Sequence, residues 1–219
     1  MAVPVPFSPV LTGDEVAFDR DLHAYLDSDG RTRRMSVTQA LTIAGLVDFS
    51  MVHPTVLRIA SERGRLVHHA TAVIDRGDAI DDYVVPEHLG GYIEGYHAFL
   101  REMKFVPDPD WIERPMIVEL FGHRVGMTPD AVGTIARVPT LIDRKTSTAA
   151  HPAWAVQTAG YDLGLRAAGL QVRQRMAVRL TSTGYYKVHP YDDPADYDTF
   201  GDCYRLAAWK LKHGMARLD

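Results

Sequence analysis

The chain has 219 residues, 46% of them hydrophobic and 24% charged, with 28 acids against 24 lysines and arginines for a net charge of −4. That length is enough for a substantial core, and the charge balance is not that of a protein that coats nucleic acid by bulk charge, although it leaves room for a local basic cleft. A single cysteine, Cys203, excludes an intramolecular disulfide, a cysteine-rich zinc site and a four-cysteine iron–sulfur cluster.

The opening Met1-Ala2-Val3-Pro4-Val5-Pro6 lacks a basic region followed by an apolar stretch, and no later run reaches membrane-spanning length. These features predict a reduced, intracellular, soluble protein with no membrane partner. Residues 1–12 read as an extended proline-bearing arm. Loose alternation from Val16 to Leu26, then the turn Asp27-Ser28-Asp29-Gly30, predicts a hairpin running to about Met35. Ser36 or Thr38 caps a short helix through Val37, Leu41 and Ile43 that ends near Gly45.

From Pro54 the apolar period becomes helical, with Leu66, Val67, Ala70, Val73 and Ile74 on one stripe, His68 and His69 at its middle and Gly77 as a stop. A second helix after Pro86 carries Leu89, Ile93, Tyr96 and Leu100, and Pro107 and Pro109 are predicted to break the chain. Strands are predicted at Met116 to Phe121, His123 to Met127, Asp130 to Arg137 and Thr140 to Lys145. Gly122, Gly126, Pro129 and Gly133 are read as turn signals of an antiparallel meander. A helix from Pro152 to Ala168, strands at Val172 to Leu180 and Tyr185 to Val188, and a last amphipathic helix from Pro194 to about His213 complete the chain. The expected class is α+β, a central mixed sheet flanked by helices. One domain spans 1–219, with an extension over about 1–50 and the last helix over about 194–213.

The chemistry concentrates in Thr140-Leu141-Ile142-Asp143-Arg144-Lys145-Thr146-Ser147. Alternate residues of a strand share a face, so Asp143 and Lys145 point the same way, and Asp130 stands thirteen residues earlier behind Pro129. Two carboxylates and a lysine on neighbouring strands suit metal-assisted attack on a phosphodiester, whose own charge repels hydroxide. Asp130, Asp143 and the backbone carbonyl of Arg144 supply oxygen ligands for magnesium, and Lys145 orients water or stabilises charge on the phosphate. Taken alone, Asp-x-Lys also describes an ordinary ion pair on a surface strand. Glu119 is either a further acid near the metal or an outward-facing edge residue. Arg144, Trp154, Lys187 and the Arg173-Gln174-Arg175 run are candidates to grip phosphates or stack on bases.

Four short motifs in order, Gly64-Arg65-Leu66-Val67-His68, Pro129-Asp130, Ile142-Asp143-Arg144-Lys145-Thr146-Ser147, and Gln157 with Tyr161, resemble the PD-(D/E)XK nuclease superfamily, in its RecB-like and phage exonuclease branch. Ser36-Val37-Thr38-Gln39-Ala40-Leu41 also looks like the leading segment of phage members, and the resemblance covers roughly residues 36–190. It implies a restriction-endonuclease-like fold with an αβββαβ core. It implies that His68 joins Asp130, Asp143 and the Arg144 carbonyl around the metal, and that Lys145 is the catalytic lysine. Gln157 and Tyr161, on one helix face, would steady the site and contact the nucleic-acid backbone. The implied function is a magnesium-dependent deoxyribonuclease, more exonuclease than endonuclease, serving phage or bacterial recombination and repair in the cytoplasm of a bacterial or phage-infected cell. Manganese is a substitute because of the imidazole ligand. DNA is the implied partner, with a ring of copies or a single-strand-annealing protein as further partners of that branch. Some relatives hold an iron–sulfur cluster, which this chain lacks the cysteines to bind. The alternative is a protein of the same fold that binds nucleic acid or a partner without cutting.

Overall fold

A computed structural model of the chain describes residues 11–12, 17–19, 24–27, 29–78 and 85–218. Of the expected N-terminal arm only β1 (Leu11–Thr12) lies within these residues. A small antiparallel sheet, β2 (Ala17–Asp19), β3 (Ala24–Leu26) and β4 (Arg33–Arg34), contains the predicted hairpin, closed through Asp27 N–H to Thr32 O at 3.0 Å. Helix α1 (Val37–Ala44) starts at Ser36 with a reciprocal capping box to Gln39 and stops at Gly45, whose φ of 96° an L side chain resists.

Helix α2 spans Pro54–Asp75, and its buried residues, Val67, Ala70, Thr71, Ala72 and Asp75, all lie in its second half. Helix α3 (Gly90–Met103) lies beside it, its buried face made of Tyr92, Ile93, Tyr96 and Phe99. Strands β5 (Val106–Ile112), β6 (Met116–Leu120), β7 (His123–Met127), β8 (Ala131–Ile135) and β9 (Val138–Lys145) follow. Helix α4 (Ala153–Ala167) then crosses to β10 (Gln174–Leu180), β11 (Tyr186–Tyr191) returns antiparallel, and α5 (Ala195–Lys212) closes the described chain.

The main sheet has the order β11-β10-β9-β8-β5, with β9 and β10 parallel and every other pair antiparallel. Its centre is dictated by alternation. Leu141 packs on one side with Val156, Leu165 and Phe200, and Ile142 packs on the other with Val67, Tyr96 and Phe99. A strand buried on both faces needs helices on both, here α4 and α5 on one side and α2 and α3 on the other. This is a mixed α/β architecture, a mixed sheet flanked by helices.

Two expectations are corrected. The four strands from Met116 to Lys145 do not form one meander, because β6 pairs with β7 on one side and β1 on the other in a separate sheet. Pro107 and Pro109 do not break the chain but sit in β5, an edge strand with an irregular register, where a missing N–H costs no ladder bond.

Gly126 and Gly133, read as turns, lie inside β7 and β8. A Cβ on Gly126 would fall 2.3 Å from the Tyr25 ring, and one on Gly133 2.3 Å from the Val106 carbonyl oxygen. The real turn between β8 and β9 is Ala136-Arg137, both at positive φ (50° and 68°), a two-residue hairpin loop without the asparagine or glycine that favours it. Replacing it by Asn-Gly (A136N/R137G) is expected to raise stability by about 1 kcal/mol, read from the urea unfolding midpoint. A drop in the midpoint would refute this account of the turn.

Candidate functional site

The site lies at the C-terminal end of β9, between α2 and α4. Ala131 pairs with Ile142, so Asp130, one residue before, comes opposite Asp143, one residue after. Both are buried, Asp130 at 4% exposure and Asp143 at 1%. From above, α2 presents His68, Thr71 and Asp75, spaced by three and four residues and therefore on one helix face. His68 Nε2 lies 3.0 Å from the carbonyl oxygen of Arg144, and its Nδ1 lies 3.3 Å from Asp130 and 3.5 Å from Glu113. The predicted histidine, first aspartate and backbone carbonyl are thus brought together.

Lys145 shares the α4 face with Asp143. Its ammonium is 2.7 Å from Asp143 Oδ2 and donates to Gln157 Oε1 at 2.8 Å, while Gln157 Nε2 donates to the Tyr161 hydroxyl at 3.0 Å. A lysine only donates, so it fixes which end of the amide faces it, and the amide then fixes the tyrosine. Gln157 and Tyr161 are buried, as is Trp154, whose ring meets His189 edge-on with 5.7 Å between ring centres. The expected roles, backbone contact for Gln157 and Tyr161 and phosphate grip or base stacking for Trp154, are not those these buried side chains serve here. Gln157 and Tyr161 orient Lys145, and Trp154 packs.

Arg144 is corrected more sharply. Its side chain points to the opposite face, has no exposed surface, and bonds Asp75 at 2.8 Å, Glu113 at 3.3 Å and the Asp130 carbonyl oxygen at 2.7 Å, with the Tyr96 ring at 5.4 Å. It grips carboxylates of its own chain and has no surface left for a phosphate. Glu119 is exposed on β6, paired in register with Arg124 and away from the site. His69 is exposed on α2.

The residue that sequence reasoning missed is Glu113. It follows β5 at a φ of 47°, a left-handed conformation that is strained for a glutamate, and its N–H donates to the Asp130 carbonyl at 3.0 Å. No spacing relates it to the other ligands, because the strand that delivers it is joined to β8 only in space. Asp75 was legible in principle, two turns after His68 on the same helical stripe.

Electrostatics set these groups against one another. Burial penalises the His68 imidazolium, but Asp130 and Glu113 outweigh it and raise the pKa from 6.5 to about 10. Burial would likewise raise Asp130, but the cations around it, His68 first, hold it well below the carboxylate range. Burial pushes Asp143 up to about 6, a rise that Asp130 reinforces and Lys145 opposes. Four acids, Asp75, Glu113, Asp130 and Asp143, face Arg144, Lys145 and the His68 imidazolium, and Asp143 Oδ2 has no hydrogen bond of acceptable direction.

His68, Glu113 and Asp130 offer ligand atoms within 4.8 Å of one another. Carboxylate and carbonyl oxygens with one imidazole nitrogen are the donor set of magnesium or manganese. A surplus of buried negative charge fits a divalent cation.

No protein-family model matches the chain, and no curated protein matches it. A solved structure described as "Crystal structure of SSO0001" aligns with 68% of this chain and 70% of that one, at 15% identity and a TM-score of 0.34. A likeness that slight carries no argument about fold or function. Among the described residues, no helix is long and apolar enough to cross a membrane.

Two outcomes follow from the geometry. Replacing Arg144 by methionine leaves Asp75 buried without its cation, and the expected loss is about 3–5 kcal/mol of unfolding free energy in urea. An unchanged midpoint would contradict the pairing. His68, raised from 6.5 to about 10, stabilises the metal-free protein fully below pH 6.5 and loses that contribution as pH rises through 10. At pH 8 its imidazole should therefore be protonated by NMR, and added Mn2+ should release about one proton per site, seen by calorimetry in two buffers. A neutral imidazole at pH 8 in the metal-free protein would be the contrary result.

Proposed function

We propose that this chain is a divalent-cation-dependent DNA nuclease of the PD-(D/E)XK type that hydrolyses phosphodiester bonds, acting as an exonuclease in phage or bacterial recombination and repair. The observation that carries the reading is the convergence of His68, Asp130 and the Arg144 carbonyl on one side of β9, next to an Asp143–Lys145 pair held by Gln157. The run α2, paired strands, α4 and a parallel β10 is compatible with the αβββαβ order that such enzymes share.

His68, Glu113, Asp130, Asp143 and the carbonyl of Arg144 would hold magnesium, or manganese in its place. When bound, the ion supplies a lowered pKa for attacking water and neutralises charge on the phosphate. The chain's own residues do the rest. Lys145 presents an ammonium beside the reacting phosphate, where it donates to a non-bridging oxygen as charge develops. Gln157 and Asp143 fix that ammonium before substrate arrives, so no reorganisation is needed during reaction. Tyr161 holds Gln157 in turn. Arg144 anchors the strand from behind and keeps its carbonyl turned toward His68.

The test is cleavage of linear double-stranded and single-stranded DNA with Mg2+ or Mn2+, compared with EDTA. Wild type should cut only with the metal. D143N and K145A should each lose roughly two to three orders of magnitude in rate. D143N should also melt at or above the wild-type temperature, because it removes a buried charge that burial and Asp130 disfavour. A wild-type chain that leaves both DNA forms intact while a control nuclease cuts them would end the assignment.

A further inference from the structure

The sheet face that carries Asp143 and Lys145 continues past them. In register, Asp143 pairs with Ala177 and Lys145 with Arg179 across β9 and β10. Ala177 then pairs with His189 and Arg179 with Lys187 across β10 and β11. Residues in register on adjacent strands project to the same face, so Lys145, Arg179 and Lys187 form one row of cations across three strands. His189 lies one step inward, in line with Asp143. The contacts agree. Lys145 reaches Gln157 and His189 meets Trp154, both on α4, and His189 is held below its ordinary pKa first by burial and then by Lys187 and Arg179.

Several other buried or half-buried arginines are neutralised in place. Arg34 and Arg124 hold Asp27, Arg166 holds Asp162, and Arg175 holds Asp196. Among the described residues, Arg179 and Lys187 have no carboxylate within ion-pair distance. Arg179 gives one guanidinium N–H to the Thr148 carbonyl, and its Nε, like Nε2 of His189, is buried without a hydrogen-bond partner. Lys187 is exposed. Unpaired cations side by side repel one another, and in a chain of net charge −4 their counter-charge was available but is not placed here.

We propose that this row is the track of the nucleic-acid backbone as it leaves the metal centre. Phosphates flanking the scissile one are held by Arg179 and then by Lys187, and the strand runs across β10 toward the β11 edge. With strands about 4.8 Å apart, the row spans about 10 Å. The inference rests on the nuclease reading and adds the direction of the strand and two phosphate contacts.

The experiment measures anisotropy of a fluorescein-labelled 20-nucleotide single-stranded DNA against salt, with Mg2+ present and D143N as the cleavage-silent parent. The variants are R179Q, K187Q, both together, and K212Q on the exposed end of α5 as a remote control. The double variant should bind about tenfold more weakly, and its log–log salt slope should fall by about 1.4 through loss of two contacts, while K212Q matches the parent. Because Lys187 is exposed, K187Q alone carries the test if Arg179 variants misfold, with a slope change of about 0.7. If the parent binds and K187Q keeps its affinity and slope, the row is wrong, and the nuclease assignment stands or falls on cleavage alone. If the parent does not bind the oligonucleotide, the track is overturned, whatever the cleavage result for wild type.

Discussion

The guanidinium of Arg144, buried without exposed surface, is the constraint on which the rest of the site depends. It draws Asp75 from α2, Glu113 from the end of β5 and the carbonyl of Asp130 from the start of β8 onto one strand of the sheet. An arginine buried in an apolar layer is tolerable only when its donors are met, and a guanidinium has five in a rigid fork. Its two terminal nitrogens meet Asp75, Glu113 and the Asp130 carbonyl, while Nε has only Asp130 Oδ2 at 3.7 Å, and these contacts fix the distance between α2 and β9 and hence place His68 over the Arg144 carbonyl. The side chain that seemed a surface tool for gripping phosphate is instead the internal bolt that sets the ligand geometry on the other side of its own backbone.

Alternation along β9 divides two tasks between neighbouring residues. Arg144 faces the α2 and α3 layer and secures the scaffold, while Asp143 and Lys145 face α4, where the proposed function places the chemistry. A one-residue slip in register would exchange these roles and leave a buried lysine among Val67, Tyr96 and Phe99, so the register is strongly specified. The same alternation carried across β10 and β11 places Arg179 and Lys187 beside Lys145. A property of the strand thus becomes a property of the surface.

The acids are arranged against their own electrostatic preference. Asp143 is pushed up by burial and by Asp130, Glu113 is held in a left-handed backbone conformation, and His68 is forced to carry a proton to balance its neighbours. Under the proposed function, a divalent cation would offset the charge imbalance at Asp143 and replace the His68 proton, while the Glu113 backbone strain is carried by the fold.

Much of this was legible from the residues alone. Helical stripes and the strand carrying Asp143 and Lys145 follow from periods of 3.6 and 2.0, the Ser36 cap from its residue type, and the order of acid, acid and lysine from short motifs, all of which are local. The turn at Ala136-Arg137 was not legible because its conformation is imposed by the pairing of β8 with β9 and not by its own residues. The strand character of Pro107 and Pro109 depends on β5 lying at an edge, and the recruitment of Glu113 depends on β5 lying beside β8. The sequence by itself determined which side chains share a face of an element. Only the tertiary structure decided which faces meet, because burial of Arg144 and the neutralisation it demands are summed over segments distant along the chain.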